Sequence, residues 1–251
     1  MWRSFKIRLL LALLFCAPHL MAQNIYMVSA GIADYQYIND LRKAENDAKE
    51  MAKLYGTHTK NITLLTGMQA THDAIKLALE NQFSKAQPND IVVFFFSGHG
   101  MKGGLCPYDT KPKEENILYY KEIQQVLRTC KAKTKLLFID ACYSGGFRDN
   151  KNNSSAQQSF NGQNGVMLFL SSRTGETSQE NPWANYGFYT QYLVRGIKGA
   201  ADVDKDRIIT AKEIYDYVSQ NVKKATRQQQ HPVMWGLFSD DMHIMNWNPK
   251  R

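Results

Sequence analysis

From residue 24 onward the chain alternates short apolar runs with longer stretches in which apolar residues recur every three or four positions. "NIYMVSAGI" (24–32), "NITLLTG" (61–67), "DIVVFFFSGHG" (90–100), "TKLLFID" (134–140) and "GVMLFLSS" (165–172) are short, rich in β-branched and aromatic residues, and predict strands. Between and after them, "LRKAENDAKEMAKLYG" places Leu41, Ala44, Ala48, Met51 and Tyr55 at helical spacing and stops at Gly56. "THDAIKLALENQF" (71–83) with Thr71 as N-cap, "YKEIQQVLRTC" (120–130) and two stretches at 187–198 and 211–224 predict further helices. The last opens with Thr210 and Glu213, a Thr-x-x-Glu capping box.

The run 90–98 has no polar face until its end, so it belongs in the middle of a sheet covered on both sides. Strands alternating with helices predict an α/β, three-layer α/β/α sandwich with a mainly parallel central sheet, whose ligand site lies at the carboxyl ends of the strands. Both "SGHG" (97–100) and "DACYSGG" (140–146) fall there. The polar stretch "RDNKNNSSAQQSFNGQNG" (148–165) breaks the rhythm and reads as a long exposed loop.

The first 22 residues change the picture of where the protein works. Arg3, Lys6 and Arg8 precede an apolar stretch from Leu9 to about Phe15, and Ala22 closes the segment, which is the layout of a secretory signal peptide, with an uncleaved anchor as the alternative. About a dozen apolar residues are too few to span a bilayer, so no membrane span is expected after cleavage. The bulky Phe15 before Cys16 argues against a lipid-modified cysteine. The expectation is a 1–22 signal peptide followed by one domain, 23–251, exported to a periplasm or secreted. Removing three basic residues and no acid lowers the net charge from +8 to +5. The remaining bases are spread along the chain, the pattern of a solvated surface and not of a nucleic-acid site. Cys106, Cys130 and Cys142 would remain, an odd number that leaves at least one thiol out of any intrachain pairing.

His99 and Cys142 each follow an apolar strand, each beside glycine or close to it. Taken singly, either residue is what a buried strand end looks like. As a pair at equivalent strand ends they have the makings of a thiol nucleophile and its acid/base partner. "DVDKDRIITAKE" sets Asp202, Asp204, Asp206 and Glu213 at positions 1, 3, 5 and 12 of an EF-hand loop, but position 6 is Arg207 where glycine is expected. An acidic turn feeding the capping box is the preferred reading, with calcium as a structural clip the alternative. His58, His72, His231 and His243 have no partners at zinc spacing, and no Gly-x-Ser-x-Gly elbow occurs in "SGHG" or "CYSGG". No cofactor is required.

"FFFSGHG" followed by "LLFIDACYSGG" resembles the caspase-like cysteine peptidases, specifically their bacterial and metacaspase-like branch. The resemblance runs from about residue 24 to 238 through "AENDAKEM", "CPYDT", "SSRTGETSQE", "GFYTQYLVRGI" and "QHPVMWG". It implies that Cys142 is the nucleophile, His99 its acid/base partner, and the N–H groups of Gly100 and Cys142 the oxyanion hole. It also implies that Asp140 and Asp47 line the pocket for the residue before the cut, with Ser178 and Gln179 beside the substrate. True caspases carry Gln-Ala-Cys-x-Gly, and Asp140 is a departure from that pattern. Two carboxylates favour a basic side chain and repel an acidic one, so cleavage of protein or peptide substrates after Arg or Lys is expected. The alternatives are the same fold with Asp or Asn specificity, or a non-catalytic binding protein. The 148–165 stretch, which begins with Arg148 and holds Lys151, is the expected place of self-cleavage.

Overall fold

The computed structural model describes residues 23–101, 103–113, 115–141, 160, 164–173, 176, 178–179, 181 and 184–248. A six-stranded sheet forms the middle layer. Its strands are β1 (Ile25–Gly31), β2 (Ile62–Thr66), β3 (Ile91–Gly98), β7 (Thr134–Ala141), β8 (Val166–Leu170) and β10 (Val233–Leu237), in the spatial order β10-β8-β7-β3-β1-β2. All neighbours are parallel except the edge pair β8–β10. The five helices of the described residues are α1 (Ala44–Tyr55), α2 (His72–Phe83), α3 (Tyr120–Thr129), α4 (Phe188–Arg195) and α5 (Ala211–Ala225).

Alternation along the strands divides the core in two. Val28, Val92, Phe94, Phe96, Leu137 and Ile139 face α2 and α3, whereas Met27, Val93, Phe95, Phe138 and Phe169 face α1, α4 and α5. Every residue of β3 is buried, as expected of a strand with helices on both faces. Burying each of Phe94, Phe95 and Phe96 contributes about 1.5–3 kcal/mol. The α/β sandwich with a mainly parallel sheet is therefore the observed fold, and the ten predicted elements lie within a few residues of their predicted bounds. The α4 helix is the one cut short: the chain changes at Gly196–Ala200 to a π-helical turn holding Gly199 at φ 116°.

Three features lay beyond the pattern. The antiparallel β10 is an edge strand with only partial burial, although its VMWGL sequence is apolar. A small sheet of β4 (Gly100–Met101), β5 (Gly104–Leu105) and β6 (Leu118–Tyr119) follows His99, and β9 (Ile208–Thr210) pairs with β11 (His243–Asn246). The expected exposed loop 148–165 needs correction at Phe160, which is buried in the α2/α3 core with its ring 6.2 Å from that of Tyr120. A large aromatic within a polar stretch contributes more by burial than its hydrophilic neighbours can oppose. Cys106 and Cys130 are both buried thiols, not bonded to each other. Among the described residues no helix is long and apolar enough to cross a membrane.

Candidate active site

The parallel register carries β3 and β7 to the same end of the sheet, with Ser97 opposite Asp140 and Gly98 opposite Ala141. His99 comes next after β3 in the chain, and Cys142 next after Ala141; Cys142 and the 148–159 part of the expected cleavage loop lie outside the described residues, as does the 1–22 segment. On β7, Asp140 shares the face of Leu136 and Phe138, so its carboxyl points toward α1 and α4. The α1 helix turns Ala44, Asp47, Ala48, Met51 and Tyr55 inward, and Asp47 is the acid on that stripe.

Asp47 and Asp140 are both buried, at 3% and 5% exposure. Both carboxylates accept hydrogen bonds from neutral groups. Ser97 Oγ donates to Asp47 Oδ2 at 2.9 Å and the Gly187 N–H to Oδ1 at 3.0 Å. Thr190 Oγ1 donates to Asp140 Oδ2 at 2.8 Å and the Ser178 hydroxyl to Oδ1. A Cβ placed on Gly187 would stand 3.0 Å from Asp140 Oδ2 and 3.5 Å from Asp47 Oδ2. Those two oxygens are therefore at most about 6.5 Å apart, the sum of the two distances. Any side chain at 187 would fill the gap between the acids, which only glycine leaves open. Burial pushes the Asp140 carboxyl above the usual carboxylate range, against the hydrogen bonds from Ser178 and Thr190 that pull it down.

The acids open on a small cavity of about 40 Å³, bordered by Leu41, Ser97, Gly98, Ser178, Gln179 and Gly187 as well as by Asp47 and Asp140. Four of the predicted substrate-binding residues thus meet at one pocket. Gln179 frames its rim through the backbone: its N–H donates to Gln230 Oε1 at 2.9 Å and its C=O accepts from the Phe188 N–H at 3.1 Å. Ser97, Thr190, Gly187 and Gln230 were not singled out from sequence. Gln230 is fully buried and donates through Nε2 to Ser171 O and to Ser178 Oγ, so it fixes the hydroxyl that reaches Asp140. A polar residue closing the otherwise apolar β3, and a threonine on the buried face of α4, were the available signals.

His99 directly follows Gly98 of the pocket wall and is half-buried, with Nε2 2.8 Å from the Asn39 carbonyl. A carbonyl can only accept, so Nε2 carries a proton, and whenever the ring is neutral Nδ1 holds the lone pair. Gly100, the expected oxyanion donor, follows directly as the first residue of β4, opposite Leu105.

The acidic loop belongs to another part of the molecule, and none of its residues borders this pocket. Carboxylate oxygens of Asp202, Asp204 and Asp206 lie within 4.8 Å of one another. Arg207 adopts φ 69°, the left-handed conformation for which glycine is favoured at that position, and Asp202 Oδ1 is buried without a hydrogen-bond partner. Glu213 is engaged in the cap: Oε2 accepts from the Thr210 N–H and hydroxyl, and Oε1 from the Val203 N–H. The donor set is all oxygen, which suits a hard cation such as calcium, while the cap occupies the glutamate that would complete it.

A family model described as the caspase domain matches residues 29–241. The chain belongs to the caspase-domain family of cysteine peptidases, whose substrates are proteins. Among solved structures, it is similar in fold to protein GSU0716 from Geobacter sulfurreducens, with a TM-score of 0.66 and 15% sequence identity over 87% of this chain and 95% of the other. At that identity the likeness bears on the fold alone. No curated protein matches the chain in sequence.

Proposed function

We propose that this is an exported cysteine endopeptidase that cleaves protein substrates after Arg or Lys through an acyl-enzyme at Cys142. The observation that carries the specificity is the pair of buried carboxylates, Asp47 and Asp140, at one pocket that is also lined by Gly98, the residue before His99. A guanidinium or ammonium entering between the two carboxylates would relieve their negative charge through charge-assisted hydrogen bonds. A substrate Asp would meet like charge in a desolvated pocket and be rejected.

In the first step the Cys142 thiol gives its proton to His99 Nδ1 while Nε2–H stays on the Asn39 carbonyl. The thiolate attacks the scissile carbonyl, and the N–H groups of Gly100 and Cys142 hold the resulting oxyanion. His99 passes the proton to the leaving amine as the C–N bond breaks, leaving a thioester. Water, deprotonated by the same imidazole, attacks the thioester and releases the carboxylic acid with the thiol restored.

This chemistry needs no metal. The 202–213 loop serves as a capped turn at the start of α5, and calcium there would act as a clip on that turn through Asp202, Asp204 and Asp206. Export follows from the 1–22 segment. Assay of the mature chain on fluorogenic peptides ending in Arg, Lys, Asp or Asn, beside Cys142→Ala, tests the proposal. Turnover confined to Arg and Lys and lost in Cys142→Ala is expected. Activity in Cys142→Ala rejects the thiol mechanism, preference for Asp or Asn rejects the pocket argument, and binding of basic peptides without turnover favours a non-catalytic binding protein.

A further inference from the structure

We infer that Tyr35 is the positioning residue of the catalytic imidazole, holding the His99 backbone with its hydroxyl and the His99 ring with its own ring; the inference rests on the Cys-His reading above. The His99 backbone N–H donates to Tyr35 Oη at 2.7 Å, and the two rings lie 5.0 Å apart at a 40° tilt. His99 sits where the chain leaves β3 for β4. Between the two strands Tyr35 takes its N–H, while the Cys106 N–H takes its carbonyl at 2.9 Å.

The neighbouring glycine belongs to the same device. A Cβ on Gly98 would stand 2.6 Å from Tyr35 Oη, closer than atoms can approach, so the hydroxyl reaches His99 only because residue 98 has no side chain. One loop supplies both restraints on the histidine. Tyr35 donates its own N–H to Asp40 Oδ1 at 2.8 Å and the Leu41 N–H returns to Ala33 O at 2.8 Å, closing the 33–41 segment. That closure brings the Asn39 carbonyl to Nε2 and the Tyr35 phenol to the backbone and ring face of the same residue. Tyr35 itself is buried at 8% exposure and does not border the acid-lined pocket. Its effect should therefore fall on proton transfer and not on recognition of the basic side chain.

Tyr35→Phe removes the hydroxyl and keeps the ring, and Tyr35→Leu removes both. Small misplacements of a catalytic group cost up to about a hundredfold in rate. Tyr35→Phe is expected to lower kcat on an Arg peptide roughly tenfold and Tyr35→Leu roughly a hundredfold, with KM within about twofold of wild type. The ¹⁵N imidazole signals of His99, assigned by comparison with His99→Gln in the full mature chain, should show the Nε2–H tautomer in wild type and a tautomer mixture in Tyr35→Phe. Asp40→Ala, which opens the loop without touching the ring, should reproduce the kcat-only loss. Wild-type kcat in Tyr35→Phe, a loss carried by KM, or an unchanged tautomer signature overturns the inference. The nitrogen signals need no turnover, so an inactive wild type would defeat the peptidase proposal and leave this test standing.

Discussion

Asp140→Asn removes one of two buried charges while keeping the size and one acceptor of the side chain. Asp140 and Asp47 lie on either side of Gly187 with carboxylate oxygens no more than about 6.5 Å apart, so a guanidinium between them can bond to both. Losing one partner of a buried, hydrogen-bonded charge pair costs about 2–5 kcal/mol. The remaining Asp47 charge limits the loss to the lower part of that range, about 2–4 kcal/mol, or roughly 30- to 1000-fold in kcat/KM at tenfold per 1.4 kcal/mol. The decisive comparison adds a neutral isostere of the substrate. Peptides ending in Arg and in citrulline are assayed on wild type and on Asp140→Asn, giving a four-cornered cycle. Wild type should prefer Arg strongly, and the variant should lose that preference mainly through slower cleavage of the Arg peptide. An Arg-to-citrulline ratio that is the same in both enzymes would falsify the view that Asp140 reads substrate charge.

The same variant has a stability signature. The Asp140 carboxyl titrates above the usual range because it is buried, so the folded protein holds the proton more tightly than the unfolded chain and loses stability as pH rises from about 4 through the raised value. Thermal melts should find Asp140→Asn gaining on wild type between pH 4 and pH 7; a gain that shrinks over that interval contradicts the assignment. His99→Ala should lower kcat by roughly 10³-fold or more with the fold intact by circular dichroism, and residual activity near wild type would remove His99 from the mechanism. A calcium titration followed by melting temperature distinguishes the capped turn, which expects no shift, from a calcium clip, which expects a rise that Asp204→Asn abolishes. Cleavage after Arg148 or Lys151 should leave both pieces together on gel filtration, because β7 and β8 pair side by side and Phe160 is buried in the core; intact chain in fully active enzyme would argue against maturation by self-cleavage.

The elements closest to the centre of the fold were the most legible. β3 carries a run of apolar residues that only a doubly covered strand can bury, and α1 places its apolar residues on one stripe, so both were readable without any partner. The edge strand β10 was not: its VMWGL run is apolar, but its pairing with β8 is made across more than sixty residues of chain and nothing local announces it. Phe160 was missed for the opposite reason: its neighbours are polar, and nothing local reveals that a core cavity beside Tyr120 is there to receive it.

At the site, local sequence determined which residue types stand at the strand ends: a histidine between glycines and an acid two positions before a cysteine. Those follow from where the apolar runs stop. Tertiary structure decided which of them act together. Asp47 on a helix, Asp140 on a strand and Gly187 before a second helix share one pocket only because parallel pairing aligns the ends of β3 and β7 and the helices pack on the same face of the sheet. Ser97, Thr190, Gln230 and Tyr35 owe their roles to hydrogen bonds between residues 50 to 64 positions apart. A donor's worth depends on the acceptor it meets in a buried space, and that meeting is a property of the packed chain, not of the neighbourhood in sequence.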